Sequence, residues 1–472
     1  MNPGENDTIV AISTPLSGEG GIGIVRLSGR NAFAIADKIF FCKNGKPSSF
    51  ASHTIHYGWI KDIDEVLLSV MRSPRTYTRE DIVEISGHGG PVVLRKILEL
   101  CISEGARLAL PGEFTKRAFL NGRIDLARAE AVADLIRSKT DYSASLAAQQ
   151  IKGFFSKKIN KLRKDFVKLL SDVEVNLDYP EEEAISGTAL NLREKLNHLR
   201  TEINELLTAS KKNKIFVSGI QAVIVGRPNV GKSSLLNAIL TRKRAIVTPV
   251  AGTTRDVITE TINLRGIPVT LMDTAGIKGG NSKKKSPDAL AIKFAKSALA
   301  MADLALFVVD SSTHPDINDF KIARIITRLS KKTILVLNKS DLLKKSVKLE
   351  KSNSLEKSLG KNLIKKIHCS AIRGTGIQKL HDIIFDVITT GSKCASPDIS
   401  DNTFIVNARQ EEILNEVIKG LDETLETIEK NESSEFLALH LRDIIDGFSE
   451  ITGVITTEEI LNSIFSRFCV GK

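Results

Sequence analysis

The chain has 472 residues, of which 42% are hydrophobic and 26% are charged, and it carries a formal net charge of +11. That length predicts about two to four domains, and the composition is that of a globular protein with material for several cores. No apolar run reaches about 18 residues, which excludes a membrane-spanning helix. The positive charge leaves RNA contact and plain surface solubility as equal alternatives.

The cysteines favour a reducing compartment. Their number is odd and no two form a C-x-x-C pair, which argues against a disulfide framework and against a zinc site. They are Cys42, Cys101, Cys369, Cys394 and Cys469. The first residues, MNPGENDTIVAI, lack the basic and long apolar segments of a signal peptide. We therefore expect a soluble, cytoplasmic protein.

Residues 1–120 alternate short β-branched runs, such as TIVAIS, GIGIVRLS and DIVEIS, with glycine-rich turns and one or two helices. This alternation predicts an α+β domain. Within it, GEGGIG at 18–23 fits the dinucleotide-binding pattern G-x-G-x-x-G. That fingerprint has to open a helix, whereas the strand-like IVRLS follows here, so the segment is interpreted as a glycine-rich hairpin.

Helical periodicity takes over at about residue 121. Two apolar stripes have helical spacing and are interpreted as core, namely Leu126, Ala129, Ala133 and Ile136, then Ile159, Leu162, Phe166, Leu169 and Val173. The sequence DYPEEE predicts the end of the second helix at Pro180. A further helix is expected to run to the basic, polar SKKNK near residue 210.

Helices return after about residue 390. One stripe consists of Ile413, Val417, Leu421, Leu425 and Ile428. Thr456 and Glu459 have the spacing of a capping box for a last short helix.

Residues 219–389 instead alternate strands with helices. QAVIVG, VTLMDT, LALFVVD and TILVLNK are continuous apolar runs, as strands buried on both faces of a parallel sheet require. The predicted fold is therefore multidomain α/β. It has an α+β domain at 1–120, a discontinuous helical domain at 121–218 and 390–472, and an α/β domain at 219–389 inserted into the helical one.

The segment GRPNVGKSS matches the phosphate-loop pattern G-x-x-x-x-G-K-[ST] at Gly226, Gly231, Lys232 and Ser233. It follows the strand AVIV and opens the helix SSLLNAIL, which is the context that the pattern requires. Backbone N–H groups of such a loop surround phosphates at a helix N-terminus. Lys232 is expected to bridge the outer phosphates, and the Ser233 hydroxyl to ligate Mg²⁺.

Two further motifs complete a phosphate and magnesium site. MDTAG ends an apolar strand, which puts Asp273 near the magnesium and lets Gly276 offer its N–H to a γ-phosphate. TPVAGTTRD, between the two motifs, supplies Thr254 as a further magnesium ligand.

A last pair of motifs points to guanine. In LNKSD, the Asp341 carboxylate can accept hydrogen bonds from N1–H and the 2-amino group of guanine, a donor that adenine lacks. Asn338 and Lys339 are expected to frame the base, and the N–H groups of Ser370 and Ala371 to meet its keto oxygen. Because these motifs occur in this order at strand ends, 219–389 is predicted to be a GTP-binding G domain.

Hydrolysis requires a different group from the one in Ras-like proteins. The water-orienting glutamine that follows D-x-x-G in those proteins is replaced by Ile277. The amide oxygen of Asn229, in the phosphate loop, is placed to hold a monovalent cation beside the β,γ-bridge. K⁺ at that point would act as an arginine finger does.

Several stretches go beyond the nucleotide motifs and are distributed over the whole chain. They are NDTIVAISTPLSGEGGIGIVRLSG, SGHGGP, PGEFTKRAFLNGRIDLARAEAVADLI, GRPNVGKSSLLNAI, TPVAGTTRDVI, DTAG, SEITG and the final FCVGK. Together they resemble the MnmE (TrmE) family of tRNA modification GTPases, whereas generic GTPases share only the nucleotide motifs. The resemblance implies GTP hydrolysis in the addition of an aminomethyl or carboxymethylaminomethyl group to C5 of the wobble uridine of tRNA.

The resemblance also implies cofactors and partners. The one-carbon unit would come from 5-formyl- or 5,10-methylene-tetrahydrofolate, bound by residues 1–120, which would also form a homodimer. An FAD-dependent tRNA modification protein would join it in a heterotetramer, K⁺ would support pairing of the G domains, and no membrane would be involved.

The family's site residues fall on particular positions of this chain. Its folate contacts fall on Arg26, Glu84, Arg123 and Lys472. A carboxylate such as Glu84 suits the 2-amino-4-oxo edge of a pterin as Asp341 suits guanine. Its potassium ligands fall on Asn229, Thr248, Val250 and Thr253. The residues expected to contact the nucleotide or its cations are Asn229, Val230, Gly231, Lys232, Ser233, Ser234, Thr248, Pro249, Val250, Ala251, Gly252, Thr253, Thr254, Asp273, Thr274, Ala275, Gly276, Asn338, Lys339, Ser340, Asp341, Ser370, Ala371 and Ile372.

Two positions depart from the family pattern. Arg123 stands where lysine is usual, which keeps the charge. The family typically has a glutamate after DTAG that helps to position the attacking water, but this chain has IKGGNSKKKSPDALAIKFA, where the best-aligned carboxylate is Asp288. Asp288 is the expected catalytic residue, and an acid at a helix N-terminus after Pro287 is the alternative interpretation.

Cys469 stands fourth from the end of the sequence. The ending CVGK fits a C-a-a-X lipid anchor poorly, and an isolated cysteine is usually a small hydrophobe. Phe465 and Phe468 are expected to anchor this tail, so it need not fray. The resemblance places Cys469 close to the folate site, which implies a catalytic or proton-donating role.

An RNA-binding GTPase switch of the ribosome-assembly type is the alternative function. It would explain the basic charge and the GTPase motifs. It predicts an RNA-binding module beside the G domain, but the C-terminal part has no KH-type G-x-x-G loop between helices. It also leaves residues 1–120 and Cys469 without a role.

Overall fold

The computed structural model of the protein describes residues 7–16, 20–178, 188–242, 258–273, 295–342, 353–389 and 405–472. They divide into two compact units. The first comprises Met1–Ile136, Ala147–Asn204 and Asn407–Lys472, and the second comprises Arg137–Leu146 and Glu205–Val406. No helix within the described ranges is long and apolar enough to cross a membrane.

The elements follow in chain order. The strands are β1 (Ile9–Ile12), β2 (Gly20–Ser28), β3 (Phe40–Phe41), β4 (Thr54–Ile60), β5 (Asp64–Met71), β6 (Ile82–Gly89), β7 (Arg107–Leu108), β8 (Ile220–Val225), β9 (Ile258–Leu264), β10 (Ile267–Asp273), β11 (Leu304–Asp310), β12 (Lys332–Asn338) and β13 (Leu363–His368). The helices are α1 (Ala32–Ile39), α2 (Pro91–Ser103), α3 (Glu113–Leu120), α4 (Leu126–Arg137), α5 (Asp141–Ile151), α6 (Phe154–Asp178), α7 (Thr188–Ser218), α8 (Lys232–Arg242), α9 (including 295–301), α10 (Ile317–Arg328), α11 (Asn353–Leu359), α12 (Ile377–Thr389), α13 (Ala408–Glu429), α14 (Ser434–Thr452) and α15 (Glu458–Phe465).

The first unit contains a seven-stranded sheet in the order β3-β4-β5-β6-β2-β1-β7. Neighbours are antiparallel except β1 and β7, which run parallel. Helices α1 and α2 pack on one face, because alternate residues such as Val66 and Leu68 of β5 are buried against them. This arrangement confirms the predicted α+β character.

The other face of this sheet exposes an apolar patch on β3, β4 and β5. Cross-strand pairing places its members side by side, and each is 47–66% exposed. We call Phe41, Ile55, Tyr57, Trp59 and Leu67 the sheet patch.

Helices α6, α13 and α14 pack together in the first unit. The rings of Phe166 on α6 and Phe448 on α14 have centroids 5.5 Å apart. The stripe predicted for α6 is confirmed, since all five of its residues are buried. In α4 the stripe holds for three residues, but Ile136 is 45% exposed because it lies in the last turn of the helix.

Two helix ends differ from expectation. Helix α7 continues through SKKNK to Ser218, because a polar run alone does not end a helix and the first glycine after it is Gly219, with φ +64°. Helix α15 is capped by Thr457 and not by Thr456. The Thr457 hydroxyl accepts a hydrogen bond from the Ile460 N–H at 3.3 Å.

The second unit contains a six-stranded sheet in the order β13-β12-β11-β8-β10-β9. All neighbours run parallel except β9, which is antiparallel to β10. The four predicted apolar runs form β8, β10, β11 and β12, and every residue of β11 is buried. The mostly parallel sheet is therefore confirmed. The edge strands β9 (ITETINL) and β13 (LIKKIH) were missed because they lack a continuous apolar run.

Candidate functional site

The phosphate loop connects β8 to α8 at the carboxyl edge of the second sheet, the predicted strand–loop–helix arrangement. Gly226 has φ +159°, and a Cβ there would overlap the Val308 carbonyl. Gly231 has φ +89°, and a Cβ there would overlap the Asn338 amide. Both positions therefore require glycine. Asn229, also at positive φ, is exposed at the tip of the loop.

The Lys232 side chain is buried, at 7% exposure, and its ammonium donates to the carbonyl of Arg227 at 2.8 Å. Burial lowers the pKa of Lys232, and the nearby Asp273 carboxylate opposes that effect. A buried ammonium hydrogen-bonded to a neutral carbonyl favours the approach of an anion. Lys232 therefore fits the role of a phosphate ligand.

Ser233 and Asp273 meet beside this lysine. The Ser233 hydroxyl donates to Asp273 Oδ2 at 2.9 Å, and Asp273 is 2% exposed at the end of β10. They are brought together because β8 and β10 are parallel neighbours whose carboxyl ends share one edge of the sheet. A hydroxyl and a carboxylate are oxygen ligands of the kind Mg²⁺ prefers, so the pair fits this ion.

Asp341 lies in the loop after β12. Ser370 donates to Asp341 Oδ1 at 2.5 Å, and this hydrogen bond lowers the pKa of Asp341. The Ser340 N–H donates to the Cys369 carbonyl at 3.0 Å, which joins the two loops that carry the pair. The carboxylate is therefore ionised and held in place, as recognition of guanine donors requires.

The Asn338 side chain, at the end of β12, is buried and hydrogen-bonded within the protein. It is 2% exposed, its amide nitrogen donates to the Val230 carbonyl at 2.9 Å, and its oxygen accepts from the Ala371 N–H at 3.1 Å. The Ser370 N–H donates to Thr375 at 3.0 Å. The N–H groups expected to meet the keto oxygen are thus already hydrogen-bonded within the protein. An amide at the end of a buried strand satisfies a carbonyl on one side and an N–H on the other.

Lys339 and Ile372 take different positions at the rim of this site. The Lys339 ammonium donates to Asp310 Oδ2 at 2.7 Å, which fixes its direction. Ile372 is 85% exposed. The remaining predicted residues lie outside the described part of the chain. They are Thr248, Pro249, Val250, Ala251, Gly252, Thr253, Thr254, Thr274, Ala275, Gly276 and Asp288.

The sequence analysis did not predict an ion pair that links the phosphate loop to the start of α10. Arg227 Nη1 donates to Asp316 Oδ2 at 2.5 Å, and Arg227 Nε lies 2.9 Å from Asp319 Oδ2. The two aspartates form a capping box at the start of α10. A capping pattern after Pro315 was visible in the sequence, but nothing there indicated that it faces the phosphate loop.

A second group of predicted residues meets in the first unit. Arg26 of β2 and Glu84 of β6 stand directly opposite each other. Arg26 Nε donates to Glu84 Oε1 at 2.7 Å, and the two side chains are only 16% and 23% exposed. The guanidinium also lies over the ring of Phe114, 5.7 Å from its centroid.

The last residues of the chain reach this pair. The Gly471 carbonyl accepts from the Ser13 hydroxyl at 3.3 Å and from Arg26 Nη1 at 3.4 Å. Burial and then the charge of Arg26 lower the pKa of Lys472, while Glu84 acts in the opposite direction. The structure therefore brings Arg26, Glu84 and Lys472 together.

The predicted tail anchors are confirmed. Phe465 and Phe468 are buried, and their ring centroids are 5.3 Å apart. Gly112, at the start of α3, has φ +67°, and a Cβ there would lie 2.8 Å from the Phe465 carbonyl. Its N–H donates to the Cys469 carbonyl at 3.4 Å. Cys469 itself is an exposed free thiol.

Arg123 is exposed and borders the same region. Its guanidinium lies over the ring of Tyr77, 4.8 Å from the centroid. Tyr77 packs against the buried cluster that contains Phe114, the ring beneath Arg26. Arg123 and Arg26 thus flank one apolar cluster, each through its own aromatic ring.

A network of ion pairs fixes α3, the helix that holds the tail. Arg107 donates to Asp7 and to Glu113, both at 2.6 Å, and Arg117 donates to the same two carboxylates. Burial acts to raise the pKa of Glu113. Hydrogen bonds from Arg107, the Leu110 N–H and Arg117 outweigh it, so the pKa is lowered. The network joins α3 to residues just before β1.

Comparisons with known proteins cover nearly the whole chain. The family model "GTP-binding protein TrmE N-terminus" matches residues 8–123, and the model "MnmE helical domain" matches residues 126–469. The tRNA modification GTPase MnmE of Thermoanaerobacter pseudethanolicus is 43% identical over 99% of each chain. That of Carboxydothermus hydrogenoformans is also 43% identical over 99% of each chain. That of Acetivibrio thermocellus is 41% identical over 99% of this chain and 100% of its own.

Proposed function

Because this chain belongs to the MnmE family of tRNA modification GTPases, we propose that its GTP hydrolysis drives modification of C5 of the wobble uridine, with a tetrahydrofolate as one-carbon donor. The group added is an aminomethyl or carboxymethylaminomethyl group. One observation carries the proposal: the last residues are held against Arg26, beside its partner Glu84 and away from the nucleotide motifs in sequence.

The G domain binds and splits GTP. When GTP binds, the Lys232 ammonium leaves the Arg227 carbonyl and donates to the outer phosphates. The Asp341 carboxylate selects guanine because it accepts from the N1–H and the 2-amino group of that base. Ser233, with Asp273 close by, holds Mg²⁺ together with Thr254. When bound, Mg²⁺ neutralises charge that develops on the phosphates.

A monovalent cation completes the hydrolytic site. Asn229 is exposed at the loop tip and is proposed to hold K⁺ with Thr248, Val250 and Thr253. K⁺ held there would supply positive charge to stabilise the charge that develops on the phosphates. Asp288 is proposed to position the attacking water. In Ras-like proteins a glutamine does this, but this chain has Ile277 at that position.

We call Arg26, Glu84, Arg123 and Lys472 the tail pocket, which is proposed to bind 5-formyl- or 5,10-methylene-tetrahydrofolate. Arg26 donates to Glu84 Oε1, and the second oxygen of this carboxylate is proposed to accept from a ligand with adjacent N–H donors. Arg26, Arg123 and Lys472 supply the positive charge that suits the glutamate tail or the formyl oxygen. These residues fit a pterin that carries an anionic tail.

Cys469 acts at this pocket as a catalytic thiol or proton donor. Its backbone is fixed by Gly112 while its side chain is exposed. A thiol in that position is accessible to a substrate without movement of the tail anchors. The reaction is placed in the cytoplasm, where such a thiol stays reduced.

The protein forms a homodimer and joins an FAD-dependent partner in a heterotetramer that takes tRNA as substrate. The sheet patch supports self-association, because five large apolar side chains on one sheet face are a surface that a second copy would cover. Trp59→Lys should convert the dimer to a monomer in sedimentation experiments. A dimer of unchanged stability would contradict this use of the patch.

Binding of 5-formyltetrahydrofolate by calorimetry tests the proposed pocket. Glu84→Gln should weaken binding by about 10-fold or more, since it removes a charge-assisted acceptor. Glu99→Gln is the control, because Glu99 pairs with Arg95 on an exposed helix face at 3.7 Å. Equal affinity in Glu84→Gln and Glu99→Gln would reject the folate assignment.

A further inference from the structure

Arg227 lies inside the phosphate loop, and its side chain is tied to another element. The side chain is 20% exposed and contacts two aspartates at the start of α10, with Nη1 2.5 Å from Asp316 and Nε 2.9 Å from Asp319. The backbone of the same residue accepts the hydrogen bond of the Lys232 ammonium. One residue thus joins helix α10 to the lysine that binds phosphate.

Asp319 makes this more than a surface ion pair. Its side chain is 0% exposed, whereas Asp316 is 42% exposed. Oδ2 accepts from the Asp316 N–H at 3.0 Å, and Oδ1 has no hydrogen-bond partner among the described residues. A buried carboxylate in these surroundings depends on the Arg227 charge. Burial raises the pKa of Asp319, while the hydrogen bond from the Asp316 N–H and then the charge of Arg227 oppose that rise.

Helix capping alone does not require the arginine. Asp316 accepts from the N–H groups of Asn318 and Asp319, and the capping box is complete within α10. A cap of that kind functions without a cation from another loop. The contact with Arg227 is therefore an additional constraint, and the segment it constrains is the phosphate loop.

The loop is held at both of its ends. Arg227 is fixed by α10, and the Val230 carbonyl accepts from the Asn338 amide at 2.9 Å. Between these points only Pro228 and Asn229 intervene, and both are exposed. The two attachments leave the chain from Gly226 to Gly231 little freedom before the nucleotide arrives.

We propose that Arg227, held by Asp319 and Asp316, is a positioning residue that keeps the phosphate loop in the conformation that binds GTP. It orients the loop N–H groups and its own carbonyl, which holds Lys232 in place until phosphate replaces it. The arginine makes no contact with the nucleotide in this role. Pre-organisation of this kind lowers the cost of binding, so its loss weakens nucleotide affinity more than the chemical step.

Steady-state GTP hydrolysis and melting temperatures of five variants test the proposal. Arg227→Met should raise KM for GTP about 10-fold and change kcat less than about 3-fold, and Arg227→Lys should recover most of the loss. Arg265→Met is the matched control. Arg265 pairs with Asp382 at 2.5 Å in the same unit but away from the loop, so KM should be unchanged.

The double variant Arg227→Met with Asp319→Asn separates positioning from stability. Arg227→Met alone leaves a buried carboxylate unpaired and should lower the melting temperature, which Asp319→Asn should partly restore. KM should stay high in the double variant because the loop remains unattached. If removal of the Asp319 charge restored KM together with stability, Arg227 would only neutralise Asp319 and the proposal would be overturned.

Asp316→Ser covers the case in which Arg227→Met does not fold. Serine keeps the helix cap and removes only the carboxylate that faces Nη1. A rise in KM of about 3-fold is expected, with an unchanged melting temperature. Unchanged KM in both Asp316→Ser and the double variant would refute a positioning role.

Discussion

The Ser13 hydroxyl donates a hydrogen bond to the carbonyl of Gly471 at 3.3 Å, across 458 positions of sequence. The contact holds the last residues against β1 and places Lys472 beside the Arg26–Glu84 pair. The proposed chemistry at this pocket therefore depends on a docked tail.

Gly471→Ala should release the tail. Gly471 has φ +92°, and an added Cβ would lie 2.5 Å from the Ile12 carbonyl, so both the backbone conformation and the contact oppose alanine. Amide hydrogens of residues 466–472 should exchange about 10-fold faster or more. Gly105→Ala is the control, since Gly105 also has positive φ but no described atom lies within 4 Å of an added Cβ. Equal protection in the two variants would mean that Gly471 does not hold the tail.

Glu113→Gln should destabilise the protein at neutral pH by about 1–3 kcal/mol, because it removes the charge and one acceptor oxygen of a buried carboxylate that accepts hydrogen bonds from two arginines. The folded-state pKa of Glu113 is lowered, so its contribution is present above the usual carboxyl pKa and is lost as pH falls through the folded value. The difference in melting temperature between wild type and variant should shrink below about pH 4. A difference that stays constant down to pH 3 would contradict the assignment.

Asp341→Asn should weaken GTP binding about 100-fold and favour xanthosine triphosphate, whose ring presents an oxygen where guanine has an amino group. Competition between the two nucleotides measures the change. Asp382→Asn, on an exposed pair in the same unit, is the control. Retention of GTP preference would mean that another group recognises the base.

Replacement of K⁺ by Na⁺ should slow GTP hydrolysis about 10-fold or more, since the larger ion is the one proposed to neutralise charge at the β,γ-bridge. In Asn229→Ala the two ions should give similar low rates. A rate that is independent of the ion in the wild type would remove Asn229 from this role.

The nucleotide site could be predicted in outline because local sequence encodes it. Positions 226 and 231 require glycine because a Cβ there would overlap the Val308 carbonyl and the Asn338 side chain. The strands buried on both faces are marked by continuous apolar runs. The internal hydrogen bonds of Asn338 could not be predicted, since its partners Val230 and Ala371 come from separate loops that only the folded sheet brings together.

The prediction of the tail pocket depended on the family resemblance. Arg26 and Glu84 in isolation indicate only a cross-strand pair. The contacts of Gly471 with Ser13 and Arg26 join segments at opposite ends of the sequence, and the periodicity of apolar residues does not predict such contacts. The cap of α15 was misplaced by one residue because two threonines are adjacent and only backbone geometry distinguishes them.

Mass spectrometry of wobble nucleosides tests the central claim most directly. Cells in which the Cys469→Ser variant replaces the wild-type protein should contain tRNA without the C5 modification, while the purified variant hydrolyses GTP at the wild-type rate. Cells that carry the wild-type chain provide the reference. Fully modified tRNA in the Cys469→Ser cells would contradict the claim that the docked tail carries out the chemistry that the G domain drives.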